Sequence, residues 1–331
     1  STPLNLPSSL GNAPSLVNMA IFMTTRAIGE SCFLLSFKYK KWLMHRGTHH
    51  PLMMINGELT VVLRTHSNLD MDLIRLIKRH YIANPLTYVY LFYDLMYYPE
   101  VTEFYLNING SDITGFVLIW HAAWGPRRGC SSVHIYGSVD GVEGLIPTDE
   151  CLEVHMVASS EITGAVIKRL GEMGPVKHRR FLTMACWGSV FRDYRNPLIG
   201  ARRLSIDDAV DLARVKAEQG TPLDPGEVIL RLASPHWHYY GAFVNGELAS
   251  IATTYLKLPE VWVIGDVYTR ARYRGIGAGK AVTAAVTKDA LTSGAMAMLH
   301  VDEDNEPAVR VYRRIGYRVV RVEDWLASSP S

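Results

Sequence analysis

The sequence predicts an α/β (α+β) protein with two tandem lobes, each a mixed, mostly antiparallel sheet flanked by helices, behind an N-terminal extension. The chain has 331 residues, which is long for one domain. Each half contains an Asn-Gly pair between two strand-like runs, at Asn109-Gly110 and Asn245-Gly246, and this dipeptide is a strong hairpin signal. In both halves a third strand, a loop into a helix, and then a strand, a helix and a strand follow. The shared order suggests a duplication, although the residues differ too much to establish one.

The chain divides into four predicted segments. Prolines and serines dominate its start, which predicts an extension outside the main fold. Turn-rich sequence separates the two halves. We therefore predict an extension over 1–55, a first lobe over 56–187, a linker over 188–204 and a second lobe over 205–331.

Hydrophobic periodicity predicts the elements of the first lobe. Leu73, Ile74, Ile77 and Tyr81 share one helix face, and Asn84-Pro85 ends that helix before a second, aromatic one that runs through Leu95. Further helices are expected at 142–145 and 163–170. The predicted strands cover 59–64, 103–108, 113–120, 133–136, 154–157 and 181–185.

The second lobe begins with a helix that Ser205 caps, over 207–218, and a short helix over 226–232. Its predicted strands cover 240–244, 249–256, 262–268, 296–301 and 317–322. Its later helices cover 279–291 and 307–315.

Composition excludes several classes of protein. Hydrophobic residues make up 48% and the net charge is only +2, which is typical of a globular protein without a nucleic-acid partner. The longest apolar stretch is interrupted by Arg26 and Glu30, so no membrane span is expected. The four cysteines form no Cys-x-x-Cys pair, which argues against zinc and against a dense disulfide framework, so a cytoplasmic location is expected.

A glycine-rich loop between a strand and a helix is the most informative segment. It comprises Arg274, Gly275, Ile276, Gly277, Ala278, Gly279 and Lys280. Alternating glycines allow consecutive backbone N–H groups to converge on a ligand, and the helix dipole favours an anion there. The expected ligand is a phosphate or pyrophosphate.

Two other phosphate-binding motifs do not fit the loop. Ala281 follows Lys280 where a Walker loop needs a hydroxyl for magnesium, and Lys280 stands where a dinucleotide fingerprint needs glycine. A glycine-rich turn without a ligand remains an alternative on the loop alone.

The pattern Arg-x-x-Gly-x-Gly, at Arg274, Gly277 and Gly279, resembles the pyrophosphate-arm signature of the GNAT acyltransferase superfamily. The segment from Asn305 through Ala308 and Tyr312 to Gly316-Tyr317 is similar to a second block of that family. The resemblance covers about 238–322, particularly the glycine N-acyltransferase-like branch. It implies acetyl-CoA as co-substrate, no metal, and direct attack of an amine on the thioester.

The second block makes chemical sense for this reaction. Asn305 can cap the helix that Pro307 begins, with its amide toward the cofactor's arm, while Ala308 and Tyr312 share a face four residues apart. Aminolysis of a thioester expels a thiolate, which a tyrosine hydroxyl of pKa ~10 can protonate. A core aromatic without a catalytic role is the alternative for Tyr312.

The strand before the loop carries two further expectations. The resemblance implies that the backbone of Val267, Tyr268 and Thr269 hydrogen-bonds the pantetheine arm. A base must remove the amine proton, and Asp266 is our candidate, with Asp302 and Glu247 behind it. A carboxylate at any of these positions could instead be an ordinary polar residue of a strand or turn.

The first lobe is expected to lack a cofactor site. Residues 56–187 resemble the degenerate lobe of two-lobed members, and the corresponding loop carries Asp140 and Glu143, which would repel a pyrophosphate. We therefore expect one active site per chain.

The acceptor cannot be read from the sequence. A small amine, an amino acid, a peptide N-terminus and a lysine all fit, and a CoA-binding regulatory or scaffold protein without acyl transfer is the alternative function. His236 and His238 lie two apart without a neighbouring acid or cysteine, which favours core packing or an acceptor wall over a metal site.

Overall fold

A computed structural model describes residues 53–55, 58–63, 71–122, 130–139, 141–157 and 160–330. Within these residues the strands form a single 13-stranded sheet with helices on both faces. The prediction for residues 1–52 lies outside the described residues. The mixed sheet in two tandem lobes confirms the predicted fold class.

The first lobe follows the predicted order of elements closely. The Asn109-Gly110 turn closes a hairpin, with Gly110 at φ 61°. The strand Met53–Ile55 pairs with its neighbour, so these residues belong to the sheet and not to the extension. In chain order the elements are β1 Met53–Ile55, β2 Glu58–Leu63, α1 Met71–Ala83, α2 Pro85–Tyr97, β3 Thr102–Asn109, β4 Asp112–Trp120, β5 Ser131–Gly137, α3 Val142–Leu145, β6 Leu152–Val157, α4 Ser160–Gly171 and β7 Lys177–Cys186.

The strands of the second lobe begin earlier in the chain than predicted, and its last strand ends later than predicted. Gly200–Arg203, which the prediction assigned to the linker, is an edge strand paired with the next strand of the sheet. A capping box at Ser205 and Asp208 opens the first helical segment, as the Ser205 signal indicated. In chain order the elements are β8 Gly200–Arg203, α5 Ala209–Glu218, α6 Pro225–Ala233, β9 His238–Val244, β10 Glu247–Lys257, β11 Val261–Thr269, α7 Ala278–Thr292, β12 Met296–Asp302, α8 Glu306–Ile315 and β13 Arg318–Ser328.

The two lobes exchange their last strands. The sheet order runs β1-β2-β3-β4-β5-β6-β13-β7-β12-β11-β10-β9-β8. β7 of the first lobe pairs with β12 of the second, and β13, the last strand of the chain, lies between β6 and β7. The boundary between 187 and 205 therefore divides the sequence but not the sheet, because pairing between distant segments leaves no local signal.

The helices divide between the two faces of the sheet. On one face the alanine-rich α7 and the amphipathic α8 pack over β9 to β12, in a core that contains Val282, Leu299 and Tyr312. On the opposite face α1 and α2 of the first lobe reach across to the second, where Leu256, Val263 and Met298 pack against them. This second face is thus covered jointly by both lobes.

A disulfide ties together the entries of two adjacent strands. Cys130 directly precedes β5 and Cys151 directly precedes β6, and their Cα atoms lie 4.4 Å apart. The wide spacing of the cysteines gave no indication of this pairing, because the adjacency comes from the parallel β5–β6 ladder, which begins at Ser131 and Leu152. Among the described helices, none combines the length and the apolar character that crossing a membrane requires.

Candidate active site

The central strands of the second lobe separate into a fork. β11 and β12 are parallel, and their pairing runs from Val261 and Met296 only as far as Ile264 and Leu299. Beyond that point β11 continues to Thr269 along β10, while β12 continues to Asp302 along β7. We call this opening the second-lobe fork. It creates a cleft at the carboxyl ends of two parallel strands.

The glycine-rich loop lies at the end of the β11 arm. Gly275 and Gly277 have positive φ values of 81° and 96°, and α7 begins at Ala278 with Gly277 as its N-cap. A β-carbon on Gly279 would lie 2.8 Å from Thr269 Oγ1, so only glycine lets the helix approach the strand this closely. The loop therefore presents backbone N–H groups at the positive end of a 15-residue helix.

Basic side chains surround this loop. The Arg274 side chain is exposed, and its Nε donates to the Thr269 carbonyl at 3.3 Å. Lys280 places its ammonium 4.1 Å from the centre of the Tyr194 ring. Together with the helix dipole, these cations would favour an anion such as a pyrophosphate at the loop.

Sequence analysis missed Tyr194, which it placed in the linker. A β-carbon on Gly277 would lie 2.3 Å from the Tyr194 hydroxyl, so this hydroxyl sits directly at the start of α7. Asn196 Nδ2 also approaches the Ile276 carbonyl, at 3.5 Å. The only sequence signal was an aromatic residue in a segment otherwise without pattern.

Helix α8 borders the other side of the cleft. Asn305 Oδ1 accepts a hydrogen bond from the backbone N–H of Ala308 at 3.3 Å, which is the predicted cap. Val267 and Ala308 pack against the apolar cluster that contains Ala278 and Tyr312. The structure thus brings the β11 arm, the start of α7 and the middle of α8 together on one face.

Tyr312 is buried in this cluster with a 7% exposed side chain. Burial raises the pKa of its phenol to about 12, so the hydroxyl keeps its proton at neutral pH. Among the described residues, none forms a hydrogen bond with that hydroxyl. A protonated phenol can donate a proton or a hydrogen bond to an anion formed next to it.

Asp266 lies on the opposite face of β11. Two residues of β11, Asp266 and Val267, stand opposite one residue of β10, and Asp266 has a φ of 52°, so the strand bulges here. Its carboxylate accepts hydrogen bonds from Lys216 Nζ at 2.8 Å, from Gln219 Nε2 at 2.7 Å and from the Tyr239 hydroxyl at 3.1 Å. These contacts tie the bulge to helix α5.

The two reserve carboxylates are also engaged. Asp302 at the end of β12 forms an ion pair with Arg179 of β7. Glu247 at the start of β10 contacts Arg272 and accepts a hydrogen bond from Tyr273 at 2.7 Å. Neither carboxylate lies at the point where β11 and β12 part.

The side chains of Tyr268 and Thr269, the last two residues of the β11 arm, lie on opposite faces of the strand. The Thr269 hydroxyl lies 2.8 Å from Ser250 Oγ, which itself donates to the Tyr268 carbonyl at 2.7 Å. The Tyr268 ring turns to the opposite face, where its hydroxyl donates to the Glu218 carbonyl at 3.2 Å. Side chains of this arm therefore alternate between the α7 face and the α5 face, as a strand requires.

The first lobe has an equivalent fork that is closed by side chains. β5 and β6 are parallel and their pairing ends at Ile135 and Met156. His134 and His155 line a cavity of only about 30 Å³ there, which is room for about one water molecule. The helix at this fork, α3, has four residues with Glu143 in its first turn, while Asp140 lies outside the described residues.

The two histidines before β9 pack against other side chains. The His236 ring lies 4.6 Å from the ring of Tyr97 of α2, and His238 lies 3.2 Å from Lys257 Nζ. Burial and the nearby lysine lower the pKa of His238 to about 4. Within the described residues, no cluster of three or more potential metal ligands occurs.

Comparison with known proteins supports the architecture. A Drosophila protein of known structure covers 81% of this chain and 99% of its own, at 14% identity and a TM-score of 0.60. A tandem GNAT protein from the clavulanic acid biosynthesis pathway covers 82% and 99%, at 14% identity and a TM-score of 0.50. A GCN5-related N-acetyltransferase from Sphaerobacter thermophilus covers 84% and 97%, at 17% identity and a TM-score of 0.50. No curated protein matches the sequence.

These structures share the fold of this chain, which is that of a tandem GNAT protein. Residues 206–317 match the model of the acetyltransferase (GNAT) family. This segment contains the fork, the glycine-rich loop and helix α8. The match to the acetyltransferase (GNAT) family thus covers most of the second lobe and does not extend to the first.

Proposed function

We propose that the protein is an N-acetyltransferase that moves an acetyl group from acetyl-CoA to a primary amine by direct attack. The observation that carries the proposal is the glycine-rich loop at the start of α7, beside the second-lobe fork and in one packed cluster with Tyr312. The family of the second lobe supports acyl transfer, and acetyl is the acyl group for which that family is named. The amine acceptor is a small molecule or a peptide.

The residues of the cleft fit a CoA thioester. The backbone amides of Gly275 to Lys280 would hold the pyrophosphate, with Arg274, Lys280 and the Tyr194 hydroxyl at its edge. The bulged backbone of Val267, Tyr268 and Thr269 would pair with the amides of the pantetheine arm, with Asn305 and Ala308 across the cleft. The thioester carbonyl would then lie at the fork.

Catalysis requires that two protons move. The amine must lose a proton as its nitrogen bonds to the thioester carbon, and the departing thiolate must gain one. We assign the second step to the Tyr312 hydroxyl, which burial keeps protonated. For the first step, the contacts of Asp266 with Lys216, Gln219 and Tyr239 favour a structural role that fixes the bulge.

Acyl transfer can be measured directly. A panel of primary amines, amino acids and short peptides is incubated with acetyl-CoA, and the release of the CoA thiol is followed. We expect an amine-dependent release of thiol, with the N-acetylated amine identified by mass spectrometry. Thiol release that no amine accelerates would contradict the proposal.

A protein that binds CoA without acyl transfer is the second candidate. The Tyr194 hydroxyl favours this candidate, because it lies next to the loop at the start of α7, where it would contact a bound phosphate. Tight CoA binding by calorimetry, together with no turnover on the amine panel, would identify such a protein. Tyr312 in the cleft favours the enzyme, since binding alone does not need its hydroxyl.

A further inference from the structure

The face of the second-lobe fork opposite α7 and α8 is built from tyrosine and histidine. Gly265 and His300 are the first residues beyond the last β11–β12 pair, one on each arm. A β-carbon on Gly265 would lie 2.8 Å from Cε1 of Tyr255, so the Tyr255 ring rests directly on the β11 arm. Tyr255 and His300 therefore stand on opposite sides of the point where the strands part.

A side chain of the first lobe bridges these two residues. The hydroxyl of Tyr90, from helix α2, lies 2.9 Å from the Tyr255 hydroxyl and 3.0 Å from His300 Nε2. The three side chains thus form a continuous hydrogen-bonded series across the floor of the fork. α2 reaches this position because the first-lobe helices cover this face of the second lobe.

The contacts of His300 set the direction of the series. Its Nδ1 lies 3.0 Å from Thr183 Oγ1 and 3.5 Å from the Glu323 carboxylate. A carboxylate can only accept, so we assign the imidazole proton to Nδ1, on the side of Glu323, which leaves Nε2 as an acceptor. The Tyr90 hydroxyl then donates to Nε2, and its oxygen accepts from the Tyr255 hydroxyl.

The surroundings of His300 act on its protonation in opposite directions. Burial lowers the pKa of His300, so the imidazole is neutral at pH 7. Burial alone would raise the pKa of Glu323, but the neighbouring His300, the charge of Arg321 and hydrogen bonds from Trp325 and Arg321 hold it well below its usual range. The Glu323 carboxylate can therefore stabilise an imidazolium. The titratable and charged groups around His300 are Tyr90, Tyr255, His134, Arg321 and Glu323.

We propose that Tyr255, Tyr90 and His300 form a relay that removes the proton of the attacking amine, so that the first lobe supplies part of the active site of the second. This inference rests on the proposed acyl transfer. Tyr255 is the residue that touches the amine, Tyr90 passes the proton on, and His300 receives it. Glu323 and Thr183 are positioning residues that hold the ring.

The step balances without any further reactant. The amine nitrogen bonds to the thioester carbon, and the carbonyl π electrons move to oxygen. The nitrogen proton passes to the Tyr255 oxygen, the Tyr255 proton to Tyr90, and the Tyr90 proton to His300 Nε2. When the carbonyl reforms, the carbon–sulfur bond breaks and the thiolate takes the Tyr312 proton. His300 then returns its proton through the same series, and Tyr312 is reprotonated.

Two measurements test the relay. The first is ¹⁵N NMR of the histidine rings in the free protein, with His300→Gln used to assign the signal of His300. We expect the Nδ1–H tautomer. An Nε2–H tautomer would point the proton at Tyr90 and overturn the relay, whether or not the protein transfers acyl groups.

The second measurement is the pH dependence of kcat with the best amine. General base catalysis is worth ~10²–10⁴ in rate, and we expect Tyr90→Phe and Tyr255→Phe to lower kcat by at least ~10-fold. The acidic limb of the parent profile should disappear in the Tyr90→Phe protein. Tyr88→Phe is the matched control, because Tyr88 is buried in the same helix and its hydroxyl donates only to the Ile113 carbonyl at 3.2 Å.

The outcomes separate the two proposals. A Tyr90→Phe protein that keeps the parent kcat and acidic limb overturns the relay and leaves acyl transfer intact. A parent protein that acetylates no amine overturns the proposed function and the catalytic role of the relay together. A loss of kcat in Tyr90→Phe and Tyr255→Phe, with Tyr88→Phe at the parent rate, supports both the acyl transfer and the relay.

Discussion

At the scale of single residues, the cleft combines a buried phenol with a bulged strand. Tyr312 could be predicted from the sequence because its spacing from Ala308 and Asn305 is local to one helix. The surroundings of Asp266 could not, because Lys216 and Tyr239 come from distant segments. The contact between Tyr90 and His300 could not be predicted from the sequence for the same reason, since 210 positions separate the two residues.

The role of Tyr312 can be isolated by removing one oxygen atom. Tyr312→Phe should lower turnover by ~10²-fold, at the low end for general acid catalysis, because direct attack needs only part of this help. Acetyl-CoA affinity should change little, since the interaction forms mainly in the transition state. Steady-state kinetics and calorimetry check this, with Tyr317→Phe as a neighbouring control whose hydroxyl bonds Thr287. If the variant keeps the turnover of the parent while chemistry is rate-limiting, Tyr312 is a core aromatic without a catalytic role.

Asp266→Asn distinguishes a structural carboxylate from a catalytic base. The Lys216 and Asp266 side chains are only 5% and 16% exposed, and breaking a buried ion pair costs ~3–5 kcal/mol. Asparagine tolerates the positive φ, so the bulge itself is not strained. We expect a large loss in the free energy of unfolding by denaturant titration. Asp211→Asn, in an exposed pair with Arg214, should cost under ~1 kcal/mol. Full stability with lost turnover would restore Asp266 as the base.

Asp94 makes stability depend on pH. This α2 carboxyl is buried, and burial raises its pKa from 3.8 to about 8. A raised folded-state pKa contributes stability that is complete below about pH 4 and is lost as the pH rises through 8. Each pKa unit corresponds to ~1.4 kcal/mol, so the loss is on the order of 5 kcal/mol. Asp94→Asn should flatten the dependence in denaturant titrations from pH 4 to 9. The exposed Asp72→Asn should leave it unchanged, and an equal slope in both variants would contradict the assignment.

At the scale of elements, local patterns predicted nearly every helix and strand. The Asn-Gly turns, the Ser205 cap and the loop before α7 each depend on neighbouring residues, and each lies where the sequence indicated. The boundaries failed where tertiary pairing decides them. β13 continues to Ser328 because β6 and β7 flank it, whereas its own pattern ends near Val322.

The loop before α7 can be tested with two glycines of like geometry. Gly275 and Gly294 have φ values of 81° and 87°, and a β-carbon on either meets nothing within 4 Å. Aspartate therefore strains both positions equally, but only Gly275 lies at the anion site. Like charges about 4 Å apart repel by ~1–4 kcal/mol near a surface, so Gly275→Asp should weaken CoA binding ~10–100-fold. Gly294→Asp should bind CoA as the parent does. Equal affinities by calorimetry would exclude the loop as the pyrophosphate site.

At the scale of the whole molecule, the two lobes have the same elements and unequal forks. The second-lobe fork opens beside a 15-residue helix, while the first-lobe fork ends in a cavity of about 30 Å³ beside a four-residue helix. The sequence predicted this inequality from the carboxylates of one loop. The closing of the first fork by histidines could not be predicted, because it depends on how the strands meet.

One CoA should therefore bind per chain. Calorimetric titration should give a stoichiometry near one, and Gly275→Asp should reduce the whole signal rather than half of it. An acetyl-CoA titration of Glu143→Gln serves as control, since removing a charge from the first lobe should not create a second site. A stoichiometry near two would show that the first lobe also binds CoA.

The exchange of last strands also bears on the synthesis of the protein. When β7 leaves the ribosome, neither of its eventual neighbours exists, because β12 and β13 are encoded more than a hundred residues later. An unpaired strand edge invites association with other chains. The N-terminal half of β7 reads Lys177-His178-Arg179-Arg180, a run of basic side chains that discourages such pairing. β7 thus stays unpaired, with basic side chains along half of its length, and the sheet is completed only when the final strand of the chain has been made.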